Sequence, residues 1–288
     1  MSDASAASDP VLFKPSPHLF RGESLDLLPR VVGAASLLAV ALPTLWLGGA
    51  AFLAMVSIAA TVMAGEWTRM TVGTRWTPPA LLAAVGVIGA VWLAPDAPRL
   101  AGAILVSLAG LAAFAAYPAG ASRALWAGAG VLYVGAPCVA FAWLRETPAD
   151  GLGLIAGLLA VVWATDVAAF AAGRTFKGPK LFVEASPHKT WSGFAGGCLA
   201  GTLGGAAAGA VIGGAPAVWV MLGFTLSVMA QGGDILESFI KRRFGVKDAS
   251  ALIPGHGGLL DRLDGHLTAT AALTALLLID PALLRALT

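Results

Sequence analysis

From residue 31 to residue 286 the chain is a succession of apolar runs rich in Ala and Gly. Each is about 17 to 24 residues long, enough at about 1.5 Å per helical residue to cross roughly 30 Å of hydrocarbon. The spans read as 31–47, 49–66, 79–95, 99–117, 124–144, 152–173, 190–213, 216–240 and 265–286. The fold class is therefore all-α: a polytopic integral membrane protein of about nine transmembrane helices. Composition agrees, since 58% of residues are hydrophobic, 12% are charged and 36 are glycine, outside the usual range of a soluble globular domain. Pro43 and the Gly48-Gly49 pair supply a break between the first two spans.

Sidedness follows from the cations, because Lys and Arg collect in cytoplasmic loops. With the N-terminus inside, Lys14, Arg21 and Arg30 precede the first span, Arg69 and Arg75 follow the second, and Arg123 follows the fourth. The loop after the sixth span adds Arg174, Lys177, Lys180 and Lys189, and the loop after the eighth adds Lys241, Arg242, Arg243, Lys247 and Arg262. Of 18 Lys and Arg residues only Arg99, Arg145 and Arg285 are left outside, which predicts a cytoplasmic N-terminus and a C-terminus on the far side. Trp46, Trp67, Trp92, Trp126, Trp143 and Trp191 fall near span ends, where an interfacial aromatic belt would place them. Cys138 and Cys198 lie within spans and are expected to be free, apolar-packed thiols. Residues 1–29 contain no apolar run of the kind a cleavable signal needs, and read as a cytoplasmic or interfacial tail.

The seventh span carries glycine at 193, 197, 201, 205, 209 and 213, a four-residue period that lines one helix face. Such a stripe lets another backbone approach closely. Helix packing, within the fold or between two copies of the chain, is favoured over a substrate role, and the sequence does not choose between the fold and a homodimer.

Against this apolar background the stretch 237–264, ESFIKRRFGVKDASALIPGHGGLLDRLD, is dense in charge and glycine. Acids also sit inside apolar helices: Asp166 in the sixth span, Asp234 and Glu237 in the eighth. An unpaired carboxylate in a membrane costs at least about 2.5 kcal/mol on insertion scales, so such acids face polar cavities and serve a purpose. Glu66, at the end of the second span, reads as an interfacial residue. Asp234, Ser238 and Lys241 stand at i, i+4 and i+7 and share one helix face. Asp261 and Asp264 follow a Pro254-Gly255-His256-Gly257-Gly258 turn that can fold back toward that face. Carboxylates from two segments, ringed by Lys and Arg, describe a hard-cation site with phosphate-binding groups at its rim, and Mg²⁺ is the natural candidate.

At these residues the chain resembles the CTP-dependent phosphatidate cytidylyltransferases, also called CDP-diacylglycerol synthases. Their signature, SxxKRxxxxKD followed after a short spacer by HGGxxDRxD, stands here as Ser238, Lys241-Arg242, Lys247-Asp248, His256-Gly257-Gly258, Asp261-Arg262 and Asp264. A second block at 164–197 is similar to another family segment through Asp166, Gly173-Arg174, Ser186-Pro187, Lys189-Thr190-Trp191 and Gly193. Two positions depart from it: Val167 where the family usually has a small hydroxyl residue, and Ser192 where glutamate is common. The resemblance is firm over 160–266, while the first five spans match in hydropathy and order alone.

What the resemblance implies is a reaction of CTP with phosphatidic acid that yields CDP-diacylglycerol and pyrophosphate. It implies catalytic roles for Asp234, Ser238, Lys241 and Asp261, with Asp234 and Asp261 holding Mg²⁺ and room for a second cation. Substrate binding would fall to Asp166, Ser186, Lys189, Thr190, Arg242, Lys247, His256, Arg262 and Asp264. Residues 30–150 would form a transmembrane scaffold and 151–288 the catalytic transmembrane domain, with the signature at 238–264. The expected setting is the bacterial cytoplasmic membrane, site facing the cytoplasm, with membrane lipid and no nucleic acid as partner. Two other readings remain. One is a CTP-dependent transferase acting on another lipid phosphate or a polyprenol. The other is an ion-coupled transporter, which predicts acids near the bilayer midplane and an inverted repeat; here the charge gathers near the cytoplasmic edge and no such repeat is visible.

Overall fold

In hydrocarbon each backbone N–H and C=O must be satisfied within the protein, so long apolar runs become helices. A computed structural model of the chain describes residues 27–72, 78–147, 150–253 and 257–288. Its helices are α1 (Leu27–Leu47), α2 (Gly49–Val72), α3 (Pro78–Leu93), α4 (Pro98–Ala116), α5 (Ala121–Glu146), α6 (Gly151–Phe176), α7 (Trp191–Ile212), α8 (Pro216–Arg243), α9 (Leu260–Ile279) and α10 (Ala282–Leu287). Among the described residues six of them, α2 and α4 through α8, are long and apolar enough to cross a membrane unaided, as befits an integral membrane protein. The apolar parts of α1 and α3 are shorter, Ala35–Leu47 and Ala80–Leu93. The expected last span is divided: α9 starts at Leu260, ahead of the apolar run, and the chain breaks at Asp280-Pro281 before α10.

The break between α1 and α2 falls at Gly48 and Gly49, both at positive φ (64° and 51°), while Pro43 stays inside α1. The backbone groups this frees are met from α5. Arg145 donates from Nε to Leu45 O at 2.7 Å and from Nη2 to Trp46 O at 3.1 Å, and Glu146 accepts from Gly49 N at 2.8 Å. Arg145, expected as a far-side loop cation, is thus also the cap that ties α5 to the α1–α2 corner.

The glycine stripe of α7 is consumed inside the chain. Gly193, Gly197, Gly201, Gly205 and Gly209 are all buried, and α7 lies between α6 and α8. A Cβ on Gly201 would stand 2.5 Å from both Ser227 Cβ and Thr165 Oγ1, and one on Gly205 2.3 Å from Trp219 O. Gly213, the last of the series, ends the helix in the left-handed region instead of packing.

One departure from an all-helical chain lies between α6 and α7: strand β1 (Lys180–Phe182) pairs antiparallel with β2 (Ser186–Thr190). The core is continuous from α2 through α9, with Phe52, Met63, Leu154, Leu158, Leu226, Leu260 and Leu273 among its fully enclosed side chains. Cys138 and Cys198 are buried and free, as expected. Trp46, Trp92 and Trp191 are exposed at helix ends, in keeping with a belt. Trp67 is not: it is buried, donates from Nε1 to Trp126 O at 2.9 Å, and lies against the rings of Tyr133 and Trp126.

Candidate active site

The C-terminal end of α8 carries Lys241, Arg242 and Arg243, cations placed where the helix dipole is negative. The chain then turns at Gly245, in the left-handed region with φ 70°, and its N–H donates to Arg242 O at 3.0 Å. This turn returns residues 246–253 toward α8, and the first turn of α9 completes the fold-back.

Asp261 is the knot of that arrangement. Its Oδ1 accepts from Lys241 Nζ at 2.7 Å and from Ala249 N at 3.2 Å; its Oδ2 accepts from Ala249 N at 2.9 Å and Gly258 N at 2.7 Å. Its side chain is 3% exposed. A Cβ on Gly257, which has φ 84°, would lie 2.8 Å from Asp261 Oδ2, so the loop needs glycine there for both conformation and space. Lys241 also meets Glu237 Oε2 at 3.4 Å, one helical turn back. Glu237 is fully buried, and apart from that ammonium neither carboxylate oxygen has a hydrogen-bond donor. Asp264, which accepts from Gly265 N at 2.7 Å, faces Glu237 closely enough for the two carboxyls to interact directly.

The second block reaches the same place. Lys189, on β2, pairs its Nζ with Asp234 Oδ2 at 2.5 Å, and Asp234 keeps 45% of its side chain exposed. Ser238 Oγ stands 3.5 Å from Asp234 Oδ1. Asp166 on α6 stays accessible and has Asp264, Asp234 and Lys189 as its charged neighbours. Thr190 is buried and its hydroxyl accepts from Gly193 N at 3.1 Å, capping α7. Ser192, the departure from the family pattern, bonds Thr190 Oγ1 at 3.0 Å and donates to Lys177 O, closing the hairpin against α7. Val167, the other departure, points outward and is 70% exposed.

Of the remaining sequence-predicted residues, Ser186 is half-buried at the start of β2, Arg242 donates to Val246 O at 3.4 Å, and Lys247 and Arg262 are exposed. His256, with Pro254 and Gly255, lies outside the described residues.

Glu66 corrects a sequence reading. It is not interfacial but 5% exposed, and it reaches from α2 into the signature loop. Its Oε1 accepts from Ser250 Oγ at 2.6 Å and Leu259 N at 3.0 Å, and its Oε2 from Leu260 N at 2.7 Å. No side chain of α9's own caps its first turn, so a carboxylate from the other end of the chain does so, with a favourable sign at the positive helix end. A Cβ on Gly258 would come within 2.7 Å of Glu66 Oε1, so this glycine makes room for the cap.

Among the described residues no three His, Cys, Asp or Glu side chains converge into a closed metal cage. Mg²⁺ does not need one, since it commonly takes one or two carboxylates and completes its shell with water and substrate phosphates. Asp264 and the half-exposed Asp234, charged neighbours of one another, fit such an ion. Asp261, whose two oxygens already accept four contacts, fits it less well in this arrangement. Lys189 and Lys241 on either side supply the positive charge that a polyphosphate requires.

Comparison with known proteins meets this geometry independently. The family model described as "Cytidylyltransferase family" matches residues 28–279. The phosphatidate cytidylyltransferase of Brucella suis biovar 1 (strain 1330) is 37% identical over 256 residues, covering 86% of this chain and 92% of that protein. The phosphatidate cytidylyltransferase of Staphylococcus aureus (strain COL) is 32% identical over 258 residues, covering 86% of this chain and 98% of its own length. The match runs from α1 through α9 and so takes in the fold-back that joins Lys241 to Asp261, and by that extent and identity the chain belongs to the cytidylyltransferase family.

Proposed function

We propose that the protein is a phosphatidate cytidylyltransferase that makes CDP-diacylglycerol and pyrophosphate from CTP and phosphatidic acid. The observation that carries this reading is the Lys189–Asp234 contact at 2.5 Å, which joins two charged blocks far apart in sequence beside the Lys241 network. A phosphate monoester is already anionic at neutral pH, so the nucleophile needs little deprotonation. The obstacle is the approach of two polyanions. Lys189, Lys241, Arg242, Lys247 and Arg262 would offset that repulsion, and Ser186, Thr190 and His256 would assist in binding the substrates. A lipid phosphate oxygen then attacks the α-phosphorus of CTP in line, and the bond to pyrophosphate breaks. Ser238, whose hydroxyl now faces Asp234 Oδ1 at 3.5 Å, would turn to hydrogen-bond a phosphate oxygen.

Mg²⁺, held by Asp234 and Asp264, would supply charge neutralisation on the triphosphate and leaving group. Asp261 then serves by holding Lys241 and the 249–258 loop in register. Asp166 would orient substrate on the open side. Burial of Lys241, Glu237 and Asp261 strengthens the contacts among these three.

We place the protein in the bacterial cytoplasmic membrane, with nine membrane-crossing segments, the N-terminus and site on the cytoplasmic side, 30–150 as scaffold and 151–288 as catalytic part. A homodimer would have to use a face other than the α7 glycine stripe, which α6 and α8 occupy. Purified protein given labelled CTP should move label into a chloroform-soluble product only when phosphatidate and Mg²⁺ are both present, and chelation should stop it. Label transfer to a polyprenol phosphate with phosphatidate inert would assign the other lipid substrate instead.

A further inference from the structure

A cavity of about 210 Å³ lies between α2, α3, α4 and α5, away from the signature cluster. None of its lining residues belongs to α6, α7, α8 or α9. Its wall is made of small and aliphatic side chains such as Ala83, Ala112, Val134 and Gly135, and its polar groups sit toward one end, where Thr68 and Thr71 of α2 approach Arg123 of α5. That end is shared with the C-terminus of α8, because Trp126, one turn from Arg123, meets the Phe244 ring edge-on at 5.1 Å.

Two features of this space decide what it holds. An apolar void of this size gives water too few polar partners, and left empty it forfeits the dispersion contacts that hold membrane helices together. From Arg123 to Gly135 the cavity follows α5 for twelve residues, about 18 Å of helix, close to the half-thickness of a roughly 30 Å hydrocarbon layer. It begins at a cation and runs inward by one leaflet. Arg123 is exposed at the mouth and makes no ion pair or side-chain hydrogen bond among the described residues. A volume below the roughly 300 Å³ of the smallest ordinary ligand pockets admits one slender chain, not a whole lipid.

We propose that this cavity binds one acyl chain of an anionic phospholipid other than the reacting one, with its phosphate held by Arg123. The guanidinium fork suits a phosphate oxygen pair and the alanine wall takes the chain, while the Thr68 and Thr71 hydroxyls donate to Ala64 O and Trp67 O of their own helix. The site is separate from the catalytic cluster yet adjoins it through α2: Trp67 lines the cavity, and Glu66, the next residue back, caps α9. A lipid seated here would stiffen the part of α2 that carries Glu66.

The test measures binding and needs no turnover. Full-length protein, stripped of lipid in detergent, is titrated with dioleoyl phosphatidylglycerol or dioleoyl phosphatidylcholine, and bound lipid is counted by native mass spectrometry. Wild type should retain one phosphatidylglycerol about tenfold more tightly than phosphatidylcholine, because the choline cation of the latter already neutralises its phosphate and leaves no net negative charge for Arg123 to hold. Arg123→Gln should abolish that preference, and Arg123→Lys should keep part of it. Ala83→Leu and Ala115→Leu, each made separately and checked for an unchanged unfolding midpoint, should lower retention of both lipids by narrowing the chain site. An undiminished preference in Arg123→Gln, or wild-type retention in both filled variants, would overturn the proposal.

Discussion

Lys241 stands between two carboxylates, Glu237 at 3.4 Å and Asp261 at 2.7 Å, with only 11% of its side chain exposed. Removing it strands Glu237, which is fully buried, and breaking a buried pair in this way costs about 3–5 kcal/mol. Lys241→Ala should therefore lower both the unfolding midpoint and turnover. Adding Glu237→Gln should restore much of the stability without restoring turnover, because the phosphate-binding charge is still absent; recovery of both would reduce Lys241 to a structural role. Glu66 makes a second prediction. Glu66→Gln places an amide NH₂ among the N–H and O–H donors of Ser250, Leu259 and Leu260, and each lost contact to a charged acceptor is worth about 1.5–3 kcal/mol. Activity should fall at least about tenfold, with a smaller change in KM for CTP, since the cap is not expected to touch nucleotide. An unchanged rate would show that the loop holds its place without it. The fold-back of Asp261 onto α8 was legible from spacing and a glycine turn. Glu66 was not, because it acts on Ser250 across 184 residues and no local pattern marks an acid as a remote helix cap.

At the scale of elements, hydropathy located the helices but misjudged where charge changes the ends. The last span appeared to begin at 265 because Asp261, Arg262 and Asp264 precede the apolar run, yet α9 starts at Leu260, where a cap from α2 makes a polar first turn affordable in a largely apolar setting. The β1–β2 hairpin was missed because three- and five-residue strands containing Pro187 give almost no alternation to read. The α7 stripe was read correctly as packing, and the geometry sharpens it into a contrast. Gly205→Ala would put a Cβ 2.3 Å from the backbone oxygen of Trp219, which cannot yield without moving α8, whereas at Gly204 the nearest atom is 3.5 Å away. The first substitution should cost about 1–3 kcal/mol of stability and the second almost none, measured by thermal unfolding in the same detergent. Equal tolerance would mean that α7 and α8 are held apart more loosely than their glycines suggest.

For the molecule as a whole, the count of cations on each side predicts an orientation that can be tested on intact cells. The two native cysteines are buried, so an introduced thiol reports alone. Ala215→Cys, in the exposed connection between α7 and α8, should react with an impermeant maleimide from outside, while Lys180→Cys on the hairpin should react only after the membrane is opened. The reverse pattern would invert the protein and place the signature cluster on the outer face. The bond from Glu66 into the signature loop also bears on how such genes change over time. Residues 238–264 hold the longer of the two motifs that carry the family resemblance, but the acid that steadies them is inherited from another part of the gene. A descendant that kept every signature letter and exchanged Glu66 for an apolar residue would still be catalogued as an enzyme after it had ceased to be one, and recombination between distant relatives would succeed only where α2 and the signature loop travel together.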